Sequence, residues 1–206
     1  SSSGKFNKAA EFNGSSSYIQ LKNGDIITSD DFTISMWLTN DNSGSYKEIF
    51  SQQSNNDRGI YFGKASNDTN FRLGDGISNI PLSVGTSFEH IVVAVSGSNA
   101  KVYKNAVKVY DSNSFSFGTA SGNSAGQNSG TKLGNQWGSI YSEWWDGKID
   151  QLRIFNGQQL NQASITNLYN ESVSQNDTVN IGTTYNTSIE AAVSANANAG
   201  FSIVKY

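Results

Sequence analysis

At 206 residues the chain fits one large β domain, or one domain plus a tail. A formal net charge of −3 without any Lys/Arg cluster argues against nucleic-acid binding by phosphate neutralisation, and the absence of cysteine excludes disulfides, thiol catalysis and zinc–thiolate sites. No apolar run approaches the ~18–20 residues of a helical membrane span, so membrane insertion is not expected.

The dominant sequence period is two. Residues 1–10, SSSGKFNKAA, lack an initiator Met and any signal-peptide pattern, which suggests a processed or excised piece of a longer protein. FTISMWL (32–38) alternates, placing Phe32, Ile34, Met36 and Leu38 on one face and Thr33, Ser35 and Trp37 on the other. EIFSQ (48–52), GIYFGK (59–64) and NFRLGDG (70–76) follow at turn-punctuated spacing. EHIVVAV (89–95) is apolar on both faces, as for a central strand covered on both sides. KVYKNAVKVYD (101–111) reads as a hairpin turning at Lys104–Asn105. Residues 112–130 form a long Gly/Ser/Asn loop, and TKLGN (131–135) and KIDQLRIF (148–155) complete the strands. In the last strand, parity sets Asp150 with Leu152 and Ile154, opposite Gln151 and Arg153. LNQASITNLYNES (160–172) predicts a short helix capped by Asn161, with Ile165, Leu168 and Tyr169 on one side.

Many short strands with regular turns point to an all-β antiparallel sandwich or jelly roll, here with one short C-terminal helix. Residues 1–172 form this domain. Residues 173–206 are expected to be a linker and the start of a further, truncated domain, because the pattern weakens and FSIVKY ends the chain as a strand-like hexamer.

Four stretches resemble the laminin-G-like, concanavalin A-like lectin (jelly-roll) family: AAEFNGSSSYIQL (9–21), FTISMWL (32–38), FEHIVVAVSGSNAKVYKNAVKVY (88–110) and KLGN…WWDGKIDQLRIFNGQQLNQASITNLYN (132–170). The order of motifs matches as well as their residues, over roughly residues 6–171, and the closing motif is the most specific. Phe88 stands where the family usually has Trp, and Ala106 replaces a hairpin Gly; a positive φ there would cost Ala about 1 kcal/mol. The resemblance implies a sandwich of two antiparallel sheets, glycan binding in many members, and a structural Ca2+ in many. NANAGFSIVKY (196–206) resembles the opening strand of domains found in structural proteins of tailed marine bacteriophages, which implies a virion-surface setting; an extracellular or bacterial cell surface is the alternative.

Among chemical readings, catalysis lacks its acid pair. Jelly-roll glycosidases set carboxylates two to five positions apart on one strand, whereas Glu143 and Asp146 flank two Trp at odd spacing. The chain is therefore read as not an enzyme. The single histidine, His90, is read as structural, as the family repeats a His there for packing or hydrogen bonding. One structural Ca2+ would draw on loop oxygens, with Asp25, Asp30, Asp31, Asp57, Asp75, Asp111 and Asp146 as candidates, but spacing does not name its ligands.

Sugar binding needs aromatic faces beside polar groups. NQWGSIYSEWW (135–145) supplies Trp137, Tyr141 and Trp144, and NNDRG (55–59) could add Asn56, Asp57 and Arg58. Trp37 and Trp145 hold positions where the family packs aromatics, so both are read as core. A carboxylate on an apolar face needs partners, so Asp150 is expected to tie loop backbone amides together, with metal ligation as the minor alternative. The favoured function is a non-enzymatic, lectin-like domain of a virion or cell-surface protein that recognises surface glycans. The alternative is a structural decoration or spacer domain of a phage capsid or fibre, contacting other virion or surface-protein subunits. Homo-oligomerisation is left open.

Overall fold

The computed structural model describes residues 2–22, 24–44, 46–53, 58–65, 69–118, 130–135, 143–171 and 204–205. In chain order its strands are β1 (Ser2–Ser3), β2 (Lys8–Asn13), β3 (Ile19–Lys22), β4 (Asp31–Leu38), β5 (Glu48–Gln53), β6 (Ile60–Lys64), β7 (Asn70–Leu73), β8 (Ile77–Pro81), β9 (Glu89–Ser96), β10 (Asn99–Lys104), β11 (Val107–Ser112), β12 (Gly130–Leu133) and β13 (Asp146–Asn156), followed by helix α1 (Gln162–Asn170) and β14 (Val204–Lys205). They form two sheets, ordered β1-β2-β13-β4-β9-β10-β11 and β3-β12-β5-β6-β7-β8. Neighbours run antiparallel, except that β14 lies parallel to β13 at Arg153 and Ile154. This is the expected concanavalin A-like jelly-roll sandwich. No helix of the described residues is long and apolar enough to cross a membrane.

Alternation decides the core. Phe32, Ile34, Met36 and Leu38 of β4 and Ile91, Val93 and Val95 of β9 turn inward, meeting Phe50, Phe62, Phe71 and Leu73 from the second sheet. At roughly 25 cal/mol per Å2 of apolar surface removed from water, this inter-sheet layer is the main source of stability. Trp145 is fully buried in the same cluster. Gln52 secures one end: its Oε1 accepts from the Ile26 and Ile27 amides at 3.0 and 2.8 Å, and its Nε2 donates to Ile27 O at 2.8 Å.

The first sheet is covered on its outer face too. Val92, Ala94 and Tyr103 form a second cluster there with Ile165 of α1. The segment entering α1 is fastened by Thr33, whose hydroxyl donates to Gln158 O at 2.8 Å and accepts from the Leu160 amide at 2.9 Å. Asn161 caps the helix by accepting from the Ser164 amide at 2.9 Å.

Two local expectations are corrected. The hairpin turns one residue later than expected: β10 runs through Lys104, and Asn105 and Ala106 are the turn residues, with φ of 50° and 64°. Two positive values in a two-residue turn match the strand twist, and Ala106 is strained there because its Cβ crowds the left-handed region. The β13 parity is also broken. Asp150 pairs with Trp37 and Arg153 with Ser35, so two residues, Gln151 and Leu152, face one on β4. Gln151 takes a φ of 50°, and this bulge sends Asp150 to the outer face beside Trp37 rather than to the side of Leu152 and Ile154.

Candidate functional site

The outer face of the second sheet carries the other concentration of aromatic and charged side chains. Period two places them: Phe62 and Leu73 point inward, so Tyr61, Gly63 and Arg72 point outward. Glu48 faces Gly63 across the β5–β6 pair, and Arg72 faces it from β7. Gly63 is needed at this crossing, because a Cβ would lie 2.2 Å from Lys47 O and 3.0 Å from Glu48 Oε2. The missing side chain leaves room for an ion-pair network.

Arg72 is its centre. Nε donates to Glu48 Oε1 at 2.8 Å, and Nη2 donates both to Glu48 Oε1 and to Glu143 Oε2. The guanidinium carbon lies 5.1 Å from the Tyr46 ring centroid and 5.0 Å from that of Tyr61. Glu143 is delivered by the segment entering β13, where its carbonyl accepts from the Glu48 amide at 3.1 Å and Trp144 bridges Glu48. Trp144 packs on Tyr18 with ring centroids 6.2 Å apart, and Lys132 stands over Tyr18 at 5.3 Å. The face thus has two aromatic flanks, Tyr18–Trp144 and Tyr46–Tyr61, joined through Glu143 and Arg72. Tyr18 and Tyr46 are 50% and 44% exposed, against 0% for Trp145 one residue beyond Trp144.

Burial pushes the Glu48 carboxyl up to about 7, against the pull of Arg72. Burial raises Glu143 as well, again opposed by Arg72. Burial alone would lower Arg72, but the two carboxylates reverse this and hold it above its ordinary value. Tyr61 is raised by burial and by Asp75, to which its hydroxyl donates at 3.0 Å.

Of the residues singled out in the sequence, Trp144 lies on this face. Arg58 lies at the other end of β5: its carbonyl accepts from Gln52, its guanidinium pairs with Asp30 at 2.8 Å, and it covers the Phe117 ring at 5.0 Å. About 3.3 Å per residue over a six-residue strand separates it from Trp144 by on the order of 15 Å, so the two are not brought together. Trp137, Tyr141, Asn56 and Asp57 lie outside the described residues. Glu48, Arg72, Tyr18, Tyr46, Tyr61 and Lys132 were not singled out. The alternation of GIYFGK and NFRL was the available signal for Tyr61 and Arg72.

Among the described residues, no three His, Asp or Glu side chains gather where they could hold a metal ion. Asp150 accepts from the Phe6 amide at 2.9 Å and the Gln151 amide at 2.7 Å. His90 shares a 2.8 Å hydrogen bond with Ser35 Oγ through Nε2, and burial followed by the Arg153 charge lowers its pKa to about 4.

Similar structures include domain 4 of AbnA, a GH43 extracellular arabinanase from Geobacillus stearothermophilus, solved with arabinotriose: 24% identity, TM-score 0.63, covering 82% of this chain and 79% of that one. The CBM40 of a Ruminococcus gnavus IT-sialidase is 11% identical, with TM-score 0.59 and coverage of 79% and 96%. A SAP-like pentraxin from Limulus polyphemus is 16% identical, with TM-score 0.51 and coverage of 77% and 80%. No curated protein matches the chain. The family model described as concanavalin A-like lectin/glucanases superfamily matches residues 13–166, and the chain belongs to that superfamily.

Proposed function

We infer that this is a non-enzymatic carbohydrate-binding domain and that the outer face of the second sheet takes the glycan. The observation that carries the reading is the pair of exposed tyrosines, Tyr18 and Tyr46, flanking a fixed polar network on one sheet face. Aromatic faces stack on the C–H side of a pyranose, while charged and amide groups order its hydroxyls. The arabinotriose-bound arabinanase domain supports the same reading. A shallow open face gives weak single contacts, so the domain suits a setting that repeats it, a virion or cell surface, where avidity multiplies them.

The test is a glycan array with and without EDTA, using the wild type and the Trp144→Ala, Tyr46→Ala and Trp137→Ala variants. Loss of at least about tenfold in affinity in Trp144→Ala and Tyr46→Ala, at unchanged melting temperature, is expected. Binding that survives both substitutions would remove this face from consideration. EDTA sensitivity would assign a Ca2+ to the domain. Absence of binding to any glycan would favour the spacer reading, in which the face contacts other subunits.

A further inference from the structure

We propose that this face selects neutral oligosaccharides and rejects those bearing a carboxylate, an inference that rests on the carbohydrate-binding reading above. The fold does not choose between neutral and acidic sugars; the charges on its surface do. An arginine recognises a carboxylate through one of its two forked edges, Nε with Nη2 or Nη1 with Nη2. Both edges use Nη2. In Arg72 that nitrogen gives one hydrogen to Glu48 and the other to Glu143, so neither edge is open to an acidic sugar. Nε is committed to Glu48 as well.

The remaining charges point the same way. Asp75 accepts from Tyr61 at one flank and Glu143 is held by Arg72 between the flanks, while Glu48 is fully buried against Arg72. Lys132 is a single compact charge over the Tyr18 ring, where partial burial lowers its pKa. It offers a hydroxyl one hydrogen bond but no fork for a carboxylate. A glycan carboxylate laid between the flanks would meet Glu143 and replace none of its contacts with Arg72. A neutral pyranose presents hydroxyls, which can donate to Glu143 and Asp75 and accept from Lys132. The face therefore needs a hydroxyl-rich ligand at its centre and an apolar ring face at each flank.

The experiment is affinity measurement on matched pairs that differ by one acidic sugar, such as lactose with sialyllactose, and neutral with uronate-containing oligosaccharides of equal length. Wild-type protein is expected to bind the better neutral members at least about tenfold more tightly than their acidic counterparts, since like charges placed in contact are strongly penalised. Glu143→Ala opens the Nη1–Nη2 edge and should narrow that ratio to near one. Glu143→Gln, which keeps the side-chain volume, should narrow it partly. An acidic member bound as tightly as its neutral partner by the wild type would overturn the inference while leaving the carbohydrate reading intact. So would a neutral-to-acidic ratio unchanged in a folded Glu143→Ala variant. Failure of the wild type to bind any member of either set would overturn the carbohydrate reading and this inference with it.

Discussion

The two outer faces of the sandwich are built from the same materials and put to opposite use. Each carries tryptophan or tyrosine beside charged groups. On the first sheet, Trp37 is stacked on Tyr169 at 5.7 Å, meets Phe6 edge-on at 6.1 Å and is 4% exposed. On the second, Tyr18 and Tyr46 remain open. The difference comes from the N-terminal Lys5 and Phe6 together with the stretch of chain after β13. Residues 157–171 return across the first sheet and lay α1 on it, fastened at Thr33 and by Arg153 with Glu171 at 2.5 Å. An aromatic residue on a polar strand face thus reveals its role only when its cover is known. Trp37, Ser35 and His90 are buried under that cover, while Tyr46, Tyr61 and Arg72 lie on the face that α1 does not reach.

The comparison can be broken most severely on the open side. Arg72→Met leaves Glu48 buried without its counter-charge and should cost about 3–5 kcal/mol in chemical denaturation. The loss should be greater at pH 8 than at pH 5, since a protonated Glu48 needs no cation. An equal loss at both pH values would mean that the pair is not charged. On the covered side, Ile165→Ala removes the helix's buried anchor and should cost about 2–4 kcal/mol. Affinity for glycan should be unchanged, because the two faces are separated by the core.

A pH series sharpens the contrast further. The pKa of His90 is depressed from 6.5 to about 4, so the unfolded chain binds a proton that the folded chain refuses; stability is fully present above pH 6.5 and is lost as pH falls towards 4, by up to about 3 kcal/mol. Glu48 has the opposite sign. Its pKa is raised from 4.5 to about 7, so its contribution is present below pH 4.5 and is lost as pH rises through 7. The two oppose each other across one window, and a wild-type profile alone will look shallow. The difference between wild type and His90→Gln isolates the covered face: the variant should gain on the wild type steadily from pH 7 to pH 4. A difference constant with pH would show that the ring is not held neutral. The smallest effect belongs to the hairpin at the rim. Ala106→Gly should stabilise by up to about 1 kcal/mol, because glycine takes a φ of 64° without strain; a lower melting temperature would contradict that account.

The fold was legible because alternation over FTISMWL and EHIVVAV is a direct statement of which side chains meet between two sheets. The Asn161 cap and Ile165 were legible for similar local reasons. The candidate site was less so. Trp144 stands out in the sequence, but Glu48, Arg72 and Glu143 come from three distant segments and acquire meaning only through the β5–β6–β7 register. Glu143, which the sequence sets near Asp146, shares Arg72 with Glu48, far upstream, while Asp146 opens β13. Parity failed at Asp150 because a bulge adds a residue without announcing itself in composition.

That bulge has a consequence for how this chain can change length. Removing one residue from a strand ordinarily turns every side chain beyond it to the wrong side of the sheet. In β13, Gln151 is the surplus residue: without it, Asp150, Leu152 and Arg153 would alternate outward, inward and outward against Trp37, Met36 and Ser35. Deleting Gln151 therefore shortens the chain by one codon while leaving both faces in phase and Asp150 opposite Trp37.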